Sequence, residues 1–298
     1  MNAVWSFWTK PYLEGRGQGW CSGWHTEWHH LLAWGLSVYA AATHYPETSL
    51  VTDDLGARIL VDGLQLPFVT VSTALNRLKN EDPQWWALGK LEAYRSQRGP
   101  FVHIDTDVFL WQRLSRELEQ AAVFTQNPEW IVPGASCYRP GELERCLQSS
   151  TRAWIPPEWT AYGIEGTCAA CCGIFGGSRI DFIHRYADAA VRMVTAPANR
   201  RAIESLPGRN GHMILVEQYL LTACCQFHQV PMSYLFATLD DAVRPDCATA
   251  AGYTHLASSA KSDAVLCEDL DQRVERDLPR YYERCLRWAE KYQRAQAG

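Results

Sequence analysis

No apolar run in the chain approaches the roughly 20 residues that a membrane-spanning helix needs. The opening residues Met1-Asn2-Ala3-Val4-Trp5 carry neither a basic stretch nor a long apolar one, so a cytoplasmic protein with reduced thiols is expected. A basic footprint is missing too: the formal net charge is -5, which argues against a nucleic-acid partner. Repeats and low-complexity segments are absent. The glycines Gly15, Gly17, Gly19 and Gly23 crowd one stretch but lack phosphate-loop lysine spacing and do not stand between a strand and a helix. That stretch reads as a flexible loop.

What is present is aromatic and sulfur-rich. There are 13 Trp and 13 Tyr, several of the Trp within the first 35 residues, and such rings fill cores or stack on flat ligands. Of the 11 cysteines, Cys168, Cys171 and Cys172 form the tightest cluster, half of a zinc-site spacing without its other half. Buried thiols packing against small neighbours are the simpler reading. With 298 residues, 47% hydrophobic and 20% charged, the chain suits one α/β domain with extra segments.

Strand and helix patterns alternate over the first 110 residues. Val4–Phe7 reads as a strand, Trp28–Ala42 as a helix, Ser49–Thr52 as a strand ending at Asp53 and Asp54, and Phe68–Val71 as a strand. Trp85–Ser96 reads as a helix, and Pro100–Ile104 as a buried strand delivering Asp105 and Asp107. This predicts a mostly parallel sheet flanked by helices, with ligands beyond the carboxyl ends of its strands. Ser6 to Lys10, Thr52-Asp53 and Asp105 to Asp107 all fall at such ends. Further on, Pro128–Pro157 reads as a long loop, Gly173–Gly177 as a short strand, and Asp181–Val194 and Gly211–Phe227 as helices. Tyr253–Leu256 is a short segment, and Glu268–Ala295 an amphipathic helix that Pro279 breaks or kinks. The expected organisation is a domain over 1–265, its 1–110 half binding a nucleotide and its 111–265 half an acceptor, with a helical extension over 266–298.

The run Asp105-Thr106-Asp107 follows Phe101-Val102-His103-Ile104. Two carboxylates one residue apart can meet one hard cation, Mn2+ or Mg2+, if the strand ends between them; otherwise the run is a solvated turn. His255 could complete such a metal site, and Lys261, six residues later, could meet a diphosphate as a point charge.

Strand, Asp-x-Asp and a late His-x5-Lys resemble the layout of GT-A fold nucleotide-sugar glycosyltransferases, in particular the glycogenin-like family eight. Leu88-Gly89-Lys90-Leu91 is similar to that family's Lys-Leu helix, Cys172-Gly173-Ile174 to its Asn-x-Gly-Val strand, and Glu217-Gln218 to its Asp-Gln pair. The pieces run in order from about residue 4 to 261. Ser258 and Ser262-Asp263 stand where the family commonly has Gly and Pro-Trp, and Cys172 where it has Asn. The resemblance implies a Rossmann-like GT-A fold and sugar transfer from a nucleoside diphosphate sugar, UDP favoured, with retention. It implies Asp105, Asp107 and His255 on the metal, Lys261 on the departing diphosphate, and Lys90 on donor phosphate or sugar hydroxyls. It places Glu217 near the reacting carbon, orienting the acceptor or stabilising positive charge there. Ser6, Phe7, Thr9, Thr52 and Asp53 would contact base and ribose, with Thr106 and Gly173 beside the donor. The acceptor, whether sugar, peptide, lipid or small metabolite, is left open, and a homodimer is the one assembly considered. The rival readings are a non-catalytic GT-A-like binding protein, a sugar-nucleotide nucleotidyltransferase and, more weakly, a metal-dependent phosphohydrolase.

Overall fold

The computed structural model describes residues 1–17, 23–131, 137–163 and 166–297, with side chains to 290. Seven strands form the central sheet in the order β3-β2-β1-β4-β7-β6-β8. They are β1 (Asn2–Phe7), β2 (Thr48–Thr52), β3 (Thr70–Ser72), β4 (Phe101–Ile104), β6 (Val123–Trp130), β7 (Cys168–Gly177) and β8 (Met232–Tyr234). The four strands β1 to β4 are parallel, β7 is antiparallel to both its neighbours, and β6 is parallel to β8. The expected mixed α/β architecture with a mostly parallel sheet is thus what the chain adopts. Strands from both expected halves of the chain share this one sheet.

Side-chain alternation along the strands builds two cores, one on each face. Val4, Val51 and Phe101 pack on one face with the helices Leu88–Ser96 and Ile180–Thr195. Trp5, Leu50 and Val102 pack on the other with the helix Glu27–Ala42 and the C-terminal helices. A separate antiparallel ribbon joins β5 (Val108–Leu110) to β9 (Tyr253–His255).

Several elements differ from the sequence reading. Thr9–Gly17 is a helix, not a glycine-rich loop. Its Pro11 sits in the first turn, where backbone N–H groups lack intrahelical partners anyway; Gly19 lies outside the described residues. The stretch read as a loop over Pro128–Pro157 holds the end of β6 and a helix, Pro140–Gln148, opened by its proline. β7 spans ten buried residues because its Cys, Ala and Gly run, poor in β-branched signal, is enclosed on both faces. The terminal helix breaks at Pro279 as expected, into Ala264–Asp277 and Pro279–Ala297, but it begins four residues before the expected Glu268. Among the described residues no helix is long and apolar enough to cross a membrane.

The second terminal helix belongs to the core. Tyr281 is 1% exposed and its hydroxyl donates to the Leu31 carbonyl at 2.6 Å. It lies over Gly35, where an added Cβ would come 2.0 Å from the ring. Gly35→Ala should therefore cost about 1–3 kcal/mol, as overpacked cores do, and lower Tm by several degrees. A melt unchanged from wild type would show that the terminal helix is only loosely docked.

Candidate functional site

The strand order reverses between β1 and β4, and in open α/β sheets such a switch point opens a crevice at the carboxyl ends. A cavity of about 420 Å³ occupies that place, with Phe7 and Trp8 from the end of β1 and Asp105, Thr106 and Asp107 from the end of β4. In an uninterrupted strand the two aspartates would share one face. Here β4 ends at Ile104, before both, and the chain turns: Val108 N–H donates to the Asp105 carbonyl at 3.0 Å. The turn sends Asp105 to Lys90 (3.0 Å) and Asp107 to Lys261 (2.9 Å).

Lys90 Nζ is held by Asp105, by Glu217 Oε1 at 2.6 Å and by the Cys172 carbonyl at 3.1 Å. Burial works against its charge, but Asp105 and Glu217 more than offset that, and its pKa is raised. Asp105 keeps 26% of its side chain accessible. Burial, against the pull of Lys90, lifts its carboxyl to about 6. Burial also opposes the charge on Asp107, yet Lys261 and then His255 hold it well below the usual carboxylate range.

Glu217 does not sit where a helix-surface carboxylate at the reacting carbon would. It is fully buried in a π-helical turn, Leu215–Tyr219, accepts from Tyr94 Oη at 3.2 Å, and is absent from the cavity wall. Its Oε2 has no hydrogen-bond partner among the described residues. The turn carries the carboxylate inward behind Lys90, so it acts on the cavity only through that lysine.

His255 reaches the site through the ribbon, which pairs it with Val108. Its Nδ1 lies 2.7 Å from Gln126 Oε1, which also accepts from Tyr253 Oη at 2.6 Å. With Nδ1 bonded there, the ring turns Nε2 toward Asp107 Oδ1, 3.6 Å away. Gly173 makes this possible. A bulge in β7 sets Cys172, Gly173 and Ile174 against Gln126 alone. A Cβ on Gly173 would lie 2.4 Å from Gln126 Oε1 and 2.7 Å from His255 Cε1. Gly173 thus serves the histidine rather than a cavity contact, while its carbonyl accepts from Asp105 N–H at 2.9 Å.

The residues expected around base and ribose divide. Ser6 and Phe7 line the cavity. Thr9, Thr52 and Asp53 do not, because they bond one another and β1: Thr9 N and Oγ1 donate to Asp53 Oδ2 at 2.8 Å, and Thr52 Oγ1 to the Phe7 carbonyl at 2.6 Å. They strap the β1 end to the β2 end and shape the wall indirectly.

Sequence reasoning missed Gln126, His103 and His30. Alternation along β4 could have marked His103, two residues before Asp105; it is buried, lines the cavity and bonds Ser6 Oγ through Nε2 at 2.9 Å. Cys168, Cys171 and Cys172 are buried, and burial raises each thiol pKa.

Among the described residues no three His, Cys, Asp or Glu side chains converge as a ready cation cage. Asp107 and His255 approach each other, whereas Asp105 is drawn to Lys90. Residues 1–288 match the family described as "Family of unknown function (DUF6734)". No curated protein matches the chain.

Two measurements bear on this geometry. Gly173→Ala should cost about 1–3 kcal/mol through overpacking, whereas Gly99→Ala, with nothing within 4 Å, should be near neutral; equal melts for the two would refute the spacer role. His30 is buried, and burial, with Lys261 adding and Asp107 opposing, lowers its pKa from 6.5 to about 3. The unfolded chain binds that proton first, so stability is lost as pH falls from near 6.5 toward 3. Denaturant midpoints from about pH 7 to about pH 4 should decline, and His30→Phe should flatten part of that slope. An identical slope in the variant would show that the ring protonates in place.

Proposed function

The chain belongs to the DUF6734 family, and from that premise we propose that it is a metal-dependent GT-A type glycosyltransferase using a nucleoside diphosphate sugar, UDP-sugar favoured. The observation that carries the reading is the cavity floor: two carboxylates and two ammonium groups gathered at the switch point of a mostly parallel sheet, with His255 Nε2 3.6 Å from Asp107 Oδ1 outside the cavity lining. The strand order and the antiparallel β7 support the GT-A assignment.

The donor set suits Mn2+ or Mg2+. Asp105 and Asp107 would supply hard oxygens, and His255, its Nδ1 bonded to Gln126, would offer Nε2. When bound, the cation would neutralise charge on a departing diphosphate. Lys261 would add a second positive charge beside Asp107 for the same oxygens. Lys90, anchored by Glu217, would hold Asp105 in place and present a fixed charge at the cavity wall. The C–O bond from the anomeric carbon to the diphosphate breaks with its electron pair going to the phosphate oxygen. An acceptor hydroxyl would bond that carbon and pass its proton to the departing diphosphate oxygen, with retention of configuration as the resemblance implies.

One observation favours a non-catalytic binding protein instead: each aspartate is already matched by a lysine. Thermal shift separates the two. UDP with Mn2+ at about 100 Kd should add about 2.7 kcal/mol of stability, a rise of several degrees that chelator removes. Asp107→Asn should abolish the rise. A wild-type protein indifferent to nucleoside diphosphates with metal would sink the proposal, and donor hydrolysis without acceptor would exclude the inert binder.

A further inference from the structure

The cavity does not end at its charged floor and aromatic wall. Pro11, Trp86 and Asn210 line it, and the same three residues line a neighbouring compartment of about 370 Å³. The two spaces therefore meet at this rim. The outer one falls in the range of small-molecule sites, about 300–1,000 Å³. None of the roles given above to the cation and the diphosphate uses it.

One ring is held still at the rim. Trp85 is 2% exposed and belongs to the core, whereas Trp86, next in the chain, is half-buried and reaches both spaces. Trp86 Nε1 donates to the Asn210 carbonyl at 3.2 Å, and Arg209 pairs with Asp82 at 2.7 Å. These two ties join the 82–86 stretch to the 209–210 stretch. With its N–H engaged, the indole offers a ligand carbon surface. The rest of the lining selects what that ligand can be. Glu14 on the helix Thr9–Gly17, Gln84 and Asn210 all line the outer compartment, and all three are exposed. Among the described residues this lining holds no Lys or Arg, and Glu14 would repel a phosphate. It holds no Leu, Ile, Val, Met or Phe either, so a lipid chain would find no aliphatic partner. A sugar ring matches both features. Its C–H face packs on an indole, and its hydroxyls donate to a carboxylate and exchange hydrogen bonds with amides.

We propose that the outer compartment is the acceptor subsite and that the acceptor is a saccharide, stacked on Trp86 and bonded through its hydroxyls to Glu14, Gln84 and Asn210. The role of acceptor rests on the glycosyltransferase reading; the binding of a saccharide at Trp86 does not. A sugar seated there would present a hydroxyl across the shared rim toward the inner cavity.

The test is a saturation-transfer NMR titration of the full chain with three uncharged sugars of different linkage: maltotriose, cellotriose and chitotriose. UDP with Mn2+ is titrated in parallel. Wild-type protein should bind at least one trisaccharide. Trp86→Ala should weaken that sugar about 10- to 100-fold. Trp86→Phe keeps a ring and should lose less than the Ala variant. Gln84→Ala, at an exposed position outside the inner cavity, should weaken the sugar about 2- to 10-fold. Melts of the unliganded variants check folding, and the Phe and Gln84 variants carry the test if Trp86→Ala does not fold. Failure of all three sugars to bind wild-type protein overturns this inference and leaves the nucleotide-sugar reading to its own thermal-shift test. Unchanged sugar affinity in folded Trp86 and Gln84 variants overturns the placement. A loss of UDP as large as that of the sugar in Trp86→Ala also overturns it, because the ring would then serve the donor. Sugar binding in a protein indifferent to UDP with Mn2+ upholds the saccharide subsite and overturns its role as acceptor together with the glycosyltransferase reading.

Discussion

A buried ammonium has to be compensated where it lies, and Lys90 imposes that demand on the whole site. Its three partners come from different places: Asp105 from the end of β4, Glu217 from a π-helical turn, and the Cys172 carbonyl from β7. Removing one partner of such a buried pair typically costs about 3–5 kcal/mol, because the remaining charge is stranded. The demand therefore locks the turn after β4, the bulge in β7 and the inward position of Glu217 to one another. The second pair, Lys261 with Asp107, does the same for the C-terminal segment that follows β9.

The cavity consequently has two unlike halves. Its floor is dense in opposing charges whose pKa values diverge, Asp105 upward and Asp107 downward. Its wall is aromatic, with two buried imidazoles, His30 and His103, whose pKa values are lowered by burial. A ligand with an anionic end and a flat end matches that division. The lysines already balance the aspartates, so a bound cation and diphosphate would take the place of one set of ion pairs with another rather than fill a bare site.

Backbone close approach is the less visible constraint. Gly173 leaves room for the His255 ring against Gln126, and Gly35 leaves room for Tyr281. In both cases a residue distant in the chain occupies the volume of the missing side chain. The parts of the site that were legible in the sequence are those carried by local spacing: Asp105 and Asp107 after an apolar strand, and Lys261 six residues past His255. Glu217 was noticed but misplaced, since its helical surroundings hide the π turn that draws it inward. Gln126 was invisible because β6 runs into the Pro-rich stretch that reads as a loop. His30 is legible only as one polar residue in a helix; its burial depends on Trp34 and on the rings folded around it.

By itself the sequence determined the mixed α/β class and most of its first strands and helices. It also determined that two carboxylates would stand at a strand end, because alternation and apolar runs are local properties that packing reinforces. Only the tertiary structure decided which cation each aspartate meets, that Glu217 lies behind Lys90 rather than in the cavity, and that Thr9, Thr52 and Asp53 brace the wall instead of lining it. Those outcomes turn on contacts between residues far apart in the chain. Their physical origin is the need to pair buried charges and hydrogen-bonding groups, which no local pattern records.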